Sequence, residues 1–269
     1  MRALTLATWN INSVRLRAPQ IARFAADAKP DIICLQEIKC LEDQFPYAAF
    51  AAMGYPHAAV TGQKGMHGVA TVSRLPIEAL DPHAVCPKAE ARYQRVKVDG
   101  LEILNFYIPA GGDEPDPQIN PRFRHKLDFL DALETYLAGR RDEPGARILV
   151  GDLNIAPLEH DVWSHKQLLK VISHTPVETE ALERIRIAGG FADAPRALVP
   201  EPEKLFTWWS YRNRDWRASN RGRRLDHIWV NGALEAAAMA PGRAGFKVWE
   251  DCRDWDKPSD HAPVTLQLR

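Results

Sequence analysis

The run Asp31-Ile32-Ile33-Cys34-Leu35-Gln36-Glu37 sets a glutamate at the mouth of an apolar segment. A carboxylate there is costly unless it is paired or coordinating. Its oxygens suit a hard cation such as Mg²⁺ or Mn²⁺; a strand-end acid in water is the ordinary alternative. A second apolar run, Ile148-Leu149-Val150, leads into Gly151-Asp152-Leu153-Asn154. Asp152 and Asn154 are two apart, so on an extended backbone both face one side. A carboxylate beside an amide can hold a water and a phosphate oxygen together, while Gly, Asp and Asn also make plain turns. Asp260-His261 precedes a further apolar run, and Asp226 sits in another. A histidine oriented by a carboxylate does acid–base work or contacts phosphate; a lone histidine is more often structural. Finally, Phe206 to Arg217 interleaves aromatics with Arg212, Arg214 and Arg217. Guanidinium on phosphate and rings against sugar or base fit a nucleic-acid surface. Core tryptophans beside a solvated basic loop would read the same.

These residues need rigid elements to hold them. Strands are expected over Ala3–Trp9, Asp31–Gln36, Glu102–Phe106, Arg147–Gly151, Arg224–Val230 and Val264–Leu268, most with a chemically useful residue at one end. Sites on rigid elements are the precise ones. Between the strands, Asn12 or Ser13 can cap a helix running to Lys29, before Pro30. Apolar residues at Phe123, Leu127, Leu130, Leu133 and Leu137 give a helical period over Pro121–Ala138. Thr175 followed by Pro176 starts another helix to Ala188. The breakers in Gly111–Pro117 mark a loop. The pattern is α/β or α+β, with no repeat and no linker long enough to separate domains, so residues 1–269 are expected to form a single one.

Composition narrows the class. The chain has 269 residues, 45% of them hydrophobic, enough for a large core and against disorder. There is no apolar run of about 18 residues, so no membrane span is expected. The opening MRALTLATWNINS reads as structure rather than as an export signal. Cys34, Cys40, Cys86 and Cys252 show neither a CxxC pair nor zinc spacing and are expected to be reduced thiols, hence a cytoplasmic location. Net charge is zero, which disfavours a protein that coats nucleic acid non-specifically. The distribution is uneven: Tyr211 to Arg224 holds six arginines and one acid, Asp215. Arg15 and Arg17 are candidates for a second basic edge.

Taken together and in order, the segments resemble the exonuclease III family of apurinic/apyrimidinic endonucleases, within the DNase I-like endonuclease/exonuclease/phosphatase superfamily. The matching pieces are Trp9-Asn10-Ile11-Asn12, Leu35-Gln36-Glu37-Ile38-Lys39, Gly62-Gln63-Lys64-Gly65 with Gly68-Val69-Ala70, and Asn105-Phe106-Tyr107-Ile108-Pro109. They continue through Gly151–Pro157, Phe206-Thr207-Trp208, Asn220-Arg221-Gly222, Arg224-Leu225-Asp226-His227 and Ser259–Pro263, nearly the whole chain. The resemblance implies a four-layer α/β sandwich of two mixed sheets flanked by helices. It implies a hydrolase that uses Mg²⁺, with Mn²⁺ able to substitute. Asn10, Glu37 and Asp260 would hold the metal, with Asp152, Asn154 and His261 also in its reach. Asp152 would orient or deprotonate the attacking water beside Asn154. His261, held by Asp226, would contact the phosphate, as would Tyr107.

The substrate so implied is double-stranded DNA, cut 5′ to abasic sites or trimmed from 3′ ends by a monomer. Trp208 and Leu225 match an apolar pocket for a flipped base-free sugar, with Arg212, Arg214, Arg221 and Arg223 as DNA contacts. Two positions depart from the family pattern. Arg223 stands where members usually carry an apolar residue, and Ala110 where many place Asn or Gln against phosphate. The superfamily also contains inositol-phosphate and lipid phosphodiesterases that share the metal glutamate, the GDxN piece and the SDH ending. A catalytically silent DNA-binding module is a further alternative.

Overall fold

Apolar residues alternate between two faces along most strands, so each face needs its own cover. The computed structural model, which describes residues 2–80, 85–213 and 215–269, shows how both faces are covered. The strands are β1 (Leu4–Asn10), β2 (Ile32–Gln36), β3 (His57–Thr61), β4 (Val69–Ser73), β5 (Ile77–Ala79), β6 (Tyr93–Val98) and β7 (Leu101–Tyr107). They continue with β8 (Arg147–Asp152), β9 (Phe191–Asp193), β10 (Trp208–Trp209), β11 (Gly222–Arg223), β12 (Asp226–Asn231), β13 (Phe246–Val248) and β14 (Val264–Leu268). One six-stranded sheet has the order β13-β14-β1-β2-β4-β3, the other β5-β6-β7-β8-β12-β9, and β10-β11 form a small ribbon. The helices are α1 (Ala18–Ala28), α2 (Tyr47–Ala52), α3 (Pro121–Ala138), α4 (His165–Leu168), α5 (Pro176–Ala188), α6 (Ala194–Leu198), α7 (Trp216–Ser219) and α8 (Gly232–Met239).

The period-2 alternation sorts residues into layers. Leu6, Ile32, Ile103 and Ile148 meet between the two sheets. Their chain neighbours Ala7 and Ile33 pack outward with Phe24 of α1 and Phe50 of α2. Leu104 and Leu149 pack outward against Phe129, Leu133, Leu182 and Ile185 of α3 and α5. Strands buried on both faces read as continuous apolar runs, which is why their inner and outer residues look alike. The result is the expected four-layer α/β sandwich of two mixed sheets. Among the described residues no helix is long and apolar enough to cross a membrane, and the four cysteines are buried free thiols.

One polar tie crosses the sandwich. Gln36 Nε2 donates to Asn105 Oδ1 (2.8 Å) and to Thr8 Oγ1 (3.0 Å), and Asn105 Nδ2 donates to the Ala70 carbonyl (3.1 Å). The Gln36 Oε1 atom is left buried without a partner, yet the bonds made by its amide nitrogen fix β2 against β7 near the point where each delivers Glu37 and Tyr107. Gly151 is equally demanding. Its φ is +136°, and a Cβ there would lie 1.9 Å from the Phe106 carbonyl oxygen. Only glycine lets β8 pass β7 closely enough to place Asp152.

Helices α3 and α5 run as expected, and Thr175 and Glu178 form a capping box at α5. The first helix does not. It begins at Ala18, because Asn12 (φ +48°) and Ser13 (φ +91°) lie in a left-handed turn. Arg17 holds that turn. It is buried and donates to the carbonyls of Ile11, Asn12 and Lys257 and to the Tyr211 hydroxyl. It therefore belongs to the frame and not to a basic edge; Arg15 is exposed.

Asp161, also fully buried, anchors the strand that carries Asp226. Its carboxylate accepts from Arg224 Nε (2.8 Å) and Nη2 (2.8 Å) and from Arg196 Nε (2.9 Å). Burial pushes this carboxyl up, but Arg224 and Arg196 outweigh it and hold it below the usual range. Such a group stabilises the fold fully above about pH 4, its unfolded value, and loses that contribution as pH falls through the lower folded value. Asp161→Asn is expected to destabilise by about 3–5 kcal/mol at neutral pH, since it strands the buried Arg196 guanidinium and leaves Arg224 with Asp193 as its remaining acid. Urea unfolding should show the gap between wild type and variant closing as pH falls below about 4; a pH-independent gap would assign the loss to packing.

Candidate active site

The strands bring their chemistry to one edge of the sandwich. β1 and β2 run parallel and end together, with Asn10 opposite Gln36. β7 and β8 also run parallel, with Tyr107 opposite Asp152. β12 starts at the same edge, with Asp226 opposite Asp152, and Asp260 and His261 lie just before β14. Ser259 secures that last segment: its hydroxyl donates to the Asn10 carbonyl (2.6 Å) and accepts from the His261 amide (3.2 Å). Thr207 does the same for Asp226, accepting from the Leu225 and Asp226 amides.

The side chains form one bonded network. Asn10 Nδ2 donates to Glu37 Oε1 (2.9 Å) and to Asp152 Oδ2 (2.8 Å). Tyr107 donates its hydroxyl to Glu37 Oε1 (2.7 Å), with the Arg92 guanidinium 4.8 Å over its ring. Lys39 Nζ lies 2.9 Å from Glu37 Oε2. Asn154 Nδ2 donates to Asp152 Oδ2 (3.1 Å) and to the Ile108 carbonyl (2.9 Å). Asp152 and Asn154 meet through a turn rather than along a strand: β8 ends at Asp152, Asn154 has φ +53°, and its amide bonds Asp152 Oδ1 (3.0 Å). Glu37 itself has φ +50°, a strained value for a glutamate that surrounding bonds must enforce.

His261 Nδ1 donates to Asp226 Oδ2 (2.9 Å), which leaves Nε2 facing Asp152 Oδ2 at 3.6 Å. The other Asp226 oxygen is buried without a partner. Burial alone would lower the imidazole pKa, but Asp226 and Asp152 outweigh it and raise it well above 6.5. The Asp152 carboxyl is raised by burial, with Asp226 and Glu37 pushing the same way against His261 and the Asn10 amide. Burial also pushes Tyr107 up, aided by Glu37 and Asp152, so its phenol stays protonated. Glu37 is the exception: burial would raise it, but Lys39, Asn10 and Tyr107 together lower it.

These groups floor a cavity of about 650 Å³. Its wall contains Trp208 and Leu225, as expected, and also Trp163, Leu168, Val171 and Ile172, which carried no recognisable sequence signal. Trp208 Nε1 donates to Asp260 Oδ2 (2.9 Å), so the pocket wall also steers an acid. Arg223 closes the wall despite its charge. Its guanidinium lies 5.3 Å over Trp208 and bonds the Ile172 carbonyl (3.0 Å) and Ser173 hydroxyl (2.7 Å). Arg221 lies 4.7 Å over Trp163, and exposed Arg212 reaches the rim. The remaining arginines of the run divide. Arg217 is paired with Asp251 and Asp254, and Arg224 is buried on Asp161 and Asp193; neither lines the cavity. Arg214 lies outside the described residues. Ala110 lines the cavity without a polar side chain.

The donor set fits a hard divalent cation. The carboxylates of Glu37, Asp152, Asp226 and Asp260 outnumber the cations Lys39 and His261 beside them; burial first, and Asp226 and Glu37 after it, raise the Asp152 carboxyl. Ligand atoms of Asp152, Asp226 and His261 lie within 4.8 Å of one another. Asp226 and His261 already bond each other, so that trio is better suited to holding a proton. Glu37 and Asp260 remain as the oxygen donors outside that trio, Glu37 bonded to Asn10, Tyr107 and Lys39 and Asp260 to Trp208. Asn10 presents its amide nitrogen between Glu37 and Asp152, while its oxygen takes the Asn12 amide (3.1 Å). In this geometry Asn10 bridges acids; ligation would use its oxygen instead.

The chain matches the endonuclease/exonuclease/phosphatase family over residues 7–261. It is 30% identical to exodeoxyribonuclease III of Haemophilus influenzae, over 97% of this chain and 98% of that protein. It is 28% identical to the DNA repair nuclease APEX1 of Danio rerio, over 98% of this chain and 82% of that protein. Among solved structures, an AP endonuclease from Archaeoglobus fulgidus superimposes with a TM-score of 0.89 at 30% identity, covering 98% of both chains. The 3′ phosphatase NExo from Neisseria, bound to product DNA hairpin, gives a TM-score of 0.88 at 32% identity, covering 99% of both. The strand-end acids, the histidine–aspartate pair and the full-length match agree: this chain belongs to the endonuclease/exonuclease/phosphatase family.

Proposed function

We propose that this protein is a divalent-metal-dependent DNA repair nuclease that hydrolyses the phosphodiester 5′ to abasic sites and removes nucleotides or blocking groups from 3′ ends of duplex DNA. The observation that carries the reading is the meeting of Glu37, Asp152 and His261, the last backed by Asp226, on the floor of a cavity walled by Trp208 and Leu225. The names of its relatives as exodeoxyribonuclease III, DNA repair nuclease and AP endonuclease support it.

A phosphodiester repels nucleophiles through its own charge. A Mg²⁺ ion held by Glu37 and Asp260, with Asn10 beside them, would neutralise that charge and stabilise the leaving 3′ oxygen, and Mn²⁺ would serve in its place. The chain's own groups do the rest. Asp152, buried and shifted toward protonation, orients the attacking water and takes its proton, with Asn154 beside it. His261 is held in one tautomer by Asp226 and presents a protonated Nε2 to the phosphate. Tyr107 keeps its proton and donates to a phosphate oxygen. A base-free sugar unstacks at little cost and enters between Trp208, Leu225 and Leu168. Arg212 and Arg221 at the rim, with Arg214 close to them in the sequence, take backbone phosphates, and Arg223 lends the wall positive charge. That one chain lines the described cavity from both sheets supports reading residues 1–269 as one domain acting as a monomer. Four free thiols suit the reducing cytoplasm.

Duplexes carrying one abasic analogue, and blunt intact duplexes, are to be incubated with Mg²⁺ and with EDTA. Incision at the analogue in Mg²⁺ and none in EDTA is expected, with terminal digestion of the blunt duplex reporting the exonuclease share. Glu37→Ala, Asp152→Asn and His261→Asn should each lower turnover about 100-fold or more; near-normal cleavage by all of them would remove the mechanism. Trp208→Phe keeps the aromatic wall and deletes the indole bond to Asp260. Its Mn²⁺ affinity, read by calorimetric titration, should fall roughly tenfold, as when a ligand loses its orienting partner. Unchanged affinity would place the ion away from Asp260.

A further inference from the structure

Beneath the cavity two charges are sealed from solvent. Lys126 on α3 and Glu178 on α5 are both 0% exposed, with Nζ and Oε1 2.5 Å apart. A buried ion pair is a poor source of stability compared with apolar residues of the same size. Its other contacts are more telling. Lys126 Nζ also donates to the Asn154 carbonyl (2.8 Å) and the Ala110 carbonyl (3.4 Å). Glu178 accepts the Ser173 amide (2.9 and 3.0 Å), the Thr175 amide (3.2 Å) and the Thr175 hydroxyl (2.6 Å). Ala110, Asn154 and Ser173 lie on separate loops, and all of them line the cavity.

We infer that Lys126 and Glu178 are positioning residues, a clasp that draws these cavity loops to one point and holds Asn154 against Asp152. A pair whose task was to join α3 to α5 would need no backbone carbonyls from the catalytic loops. Asn154 also sits at φ +53°, a conformation that external bonds must maintain, and the Lys126 bond to its carbonyl is one of these. The inference rests on the nuclease reading above for what the positioned groups do.

The test is the double variant Lys126→Met with Glu178→Gln. It removes both charges, so neither is left buried alone, while the glutamine oxygen still serves the Ser173 and Thr175 amides. Melting temperature, kcat and KM are measured on the abasic and blunt duplexes. A clasp predicts a melting temperature within a few degrees of wild type and kcat lowered about 10- to 100-fold, the scale of a displaced catalytic group. Wild-type turnover per folded molecule would overturn it. If the double variant does not fold, Lys126→Gln with Glu178→Gln, a neutral pair whose amides can bond each other while the shorter side chain at 126 withdraws from the Asn154 carbonyl, carries the same comparison. If wild type cleaves neither duplex, the nuclease reading fails separately. The clasp is then judged by the Asn154 side-chain amide resonance, which shifts in the variant if Lys126 positions it and stays in place if not.

Discussion

Mutual repulsion among the carboxylates of Glu37, Asp152, Asp226 and Asp260 is the constraint the rest of the structure answers to. Burial raises the Asp152 carboxyl, and the nearby charges of Asp226 and Glu37 add to the rise. Left free, such side chains would turn apart into water. Here each is fixed by a directed bond: Asn10 between Glu37 and Asp152, His261 on Asp226, Trp208 on Asp260. The field so created favours an imidazolium at His261 and a divalent ion near Glu37. Both are charges that a phosphodiester transition state needs close by.

Holding acids at this spacing requires backbone that does not yield. Parallel strand pairs ending at one edge provide it, and local details bring the ends within reach: the close pass of β8 at Gly151, the buried Gln36–Asn105 tie, and Arg17 gripping the left-handed turn at Asn12. The same economy governs the basic residues. Arginines that look equivalent along the chain separate into frame (Arg17, Arg217, Arg224), wall (Arg223) and rim (Arg212, Arg221), according to which acids and carbonyls lie beside them.

Much of this was legible in the sequence. Strands ending in Asn10, Glu37, Tyr107 and Asp152 were marked by apolar runs stopping at a polar residue, and α3 and α5 by their prolines and periodicity. The family pattern supplied the pairing of Asp226 with His261. What stayed hidden depended on partners distant in the chain. Asn12 and Ser13 read as helix caps until Arg17 and the Lys257 carbonyl are seen to shape their turn. Asp152 and Asn154 read as neighbours on a strand, whereas a turn joins them. Lys126 and Glu178 carry no signal at all, because nothing in a helical period tells a buried lysine from a solvated one. The wall residues Trp163, Leu168, Val171 and Ile172 are scattered among Ser164, His165, Lys166, Gln167 and Lys170, which hides them as a group.

If the excess carboxylate charge is what a divalent ion neutralises, the folded state must bind that ion and the unfolded state must not. Urea unfolding of metal-stripped protein, across a Mg²⁺ titration at constant ionic strength, tests this directly in wild type and Glu37→Gln. Mass action predicts that the wild-type midpoint rises with Mg²⁺ concentration while that of Glu37→Gln stays nearly level. A wild-type midpoint indifferent to Mg²⁺, or an equal rise in both proteins, would contradict the account.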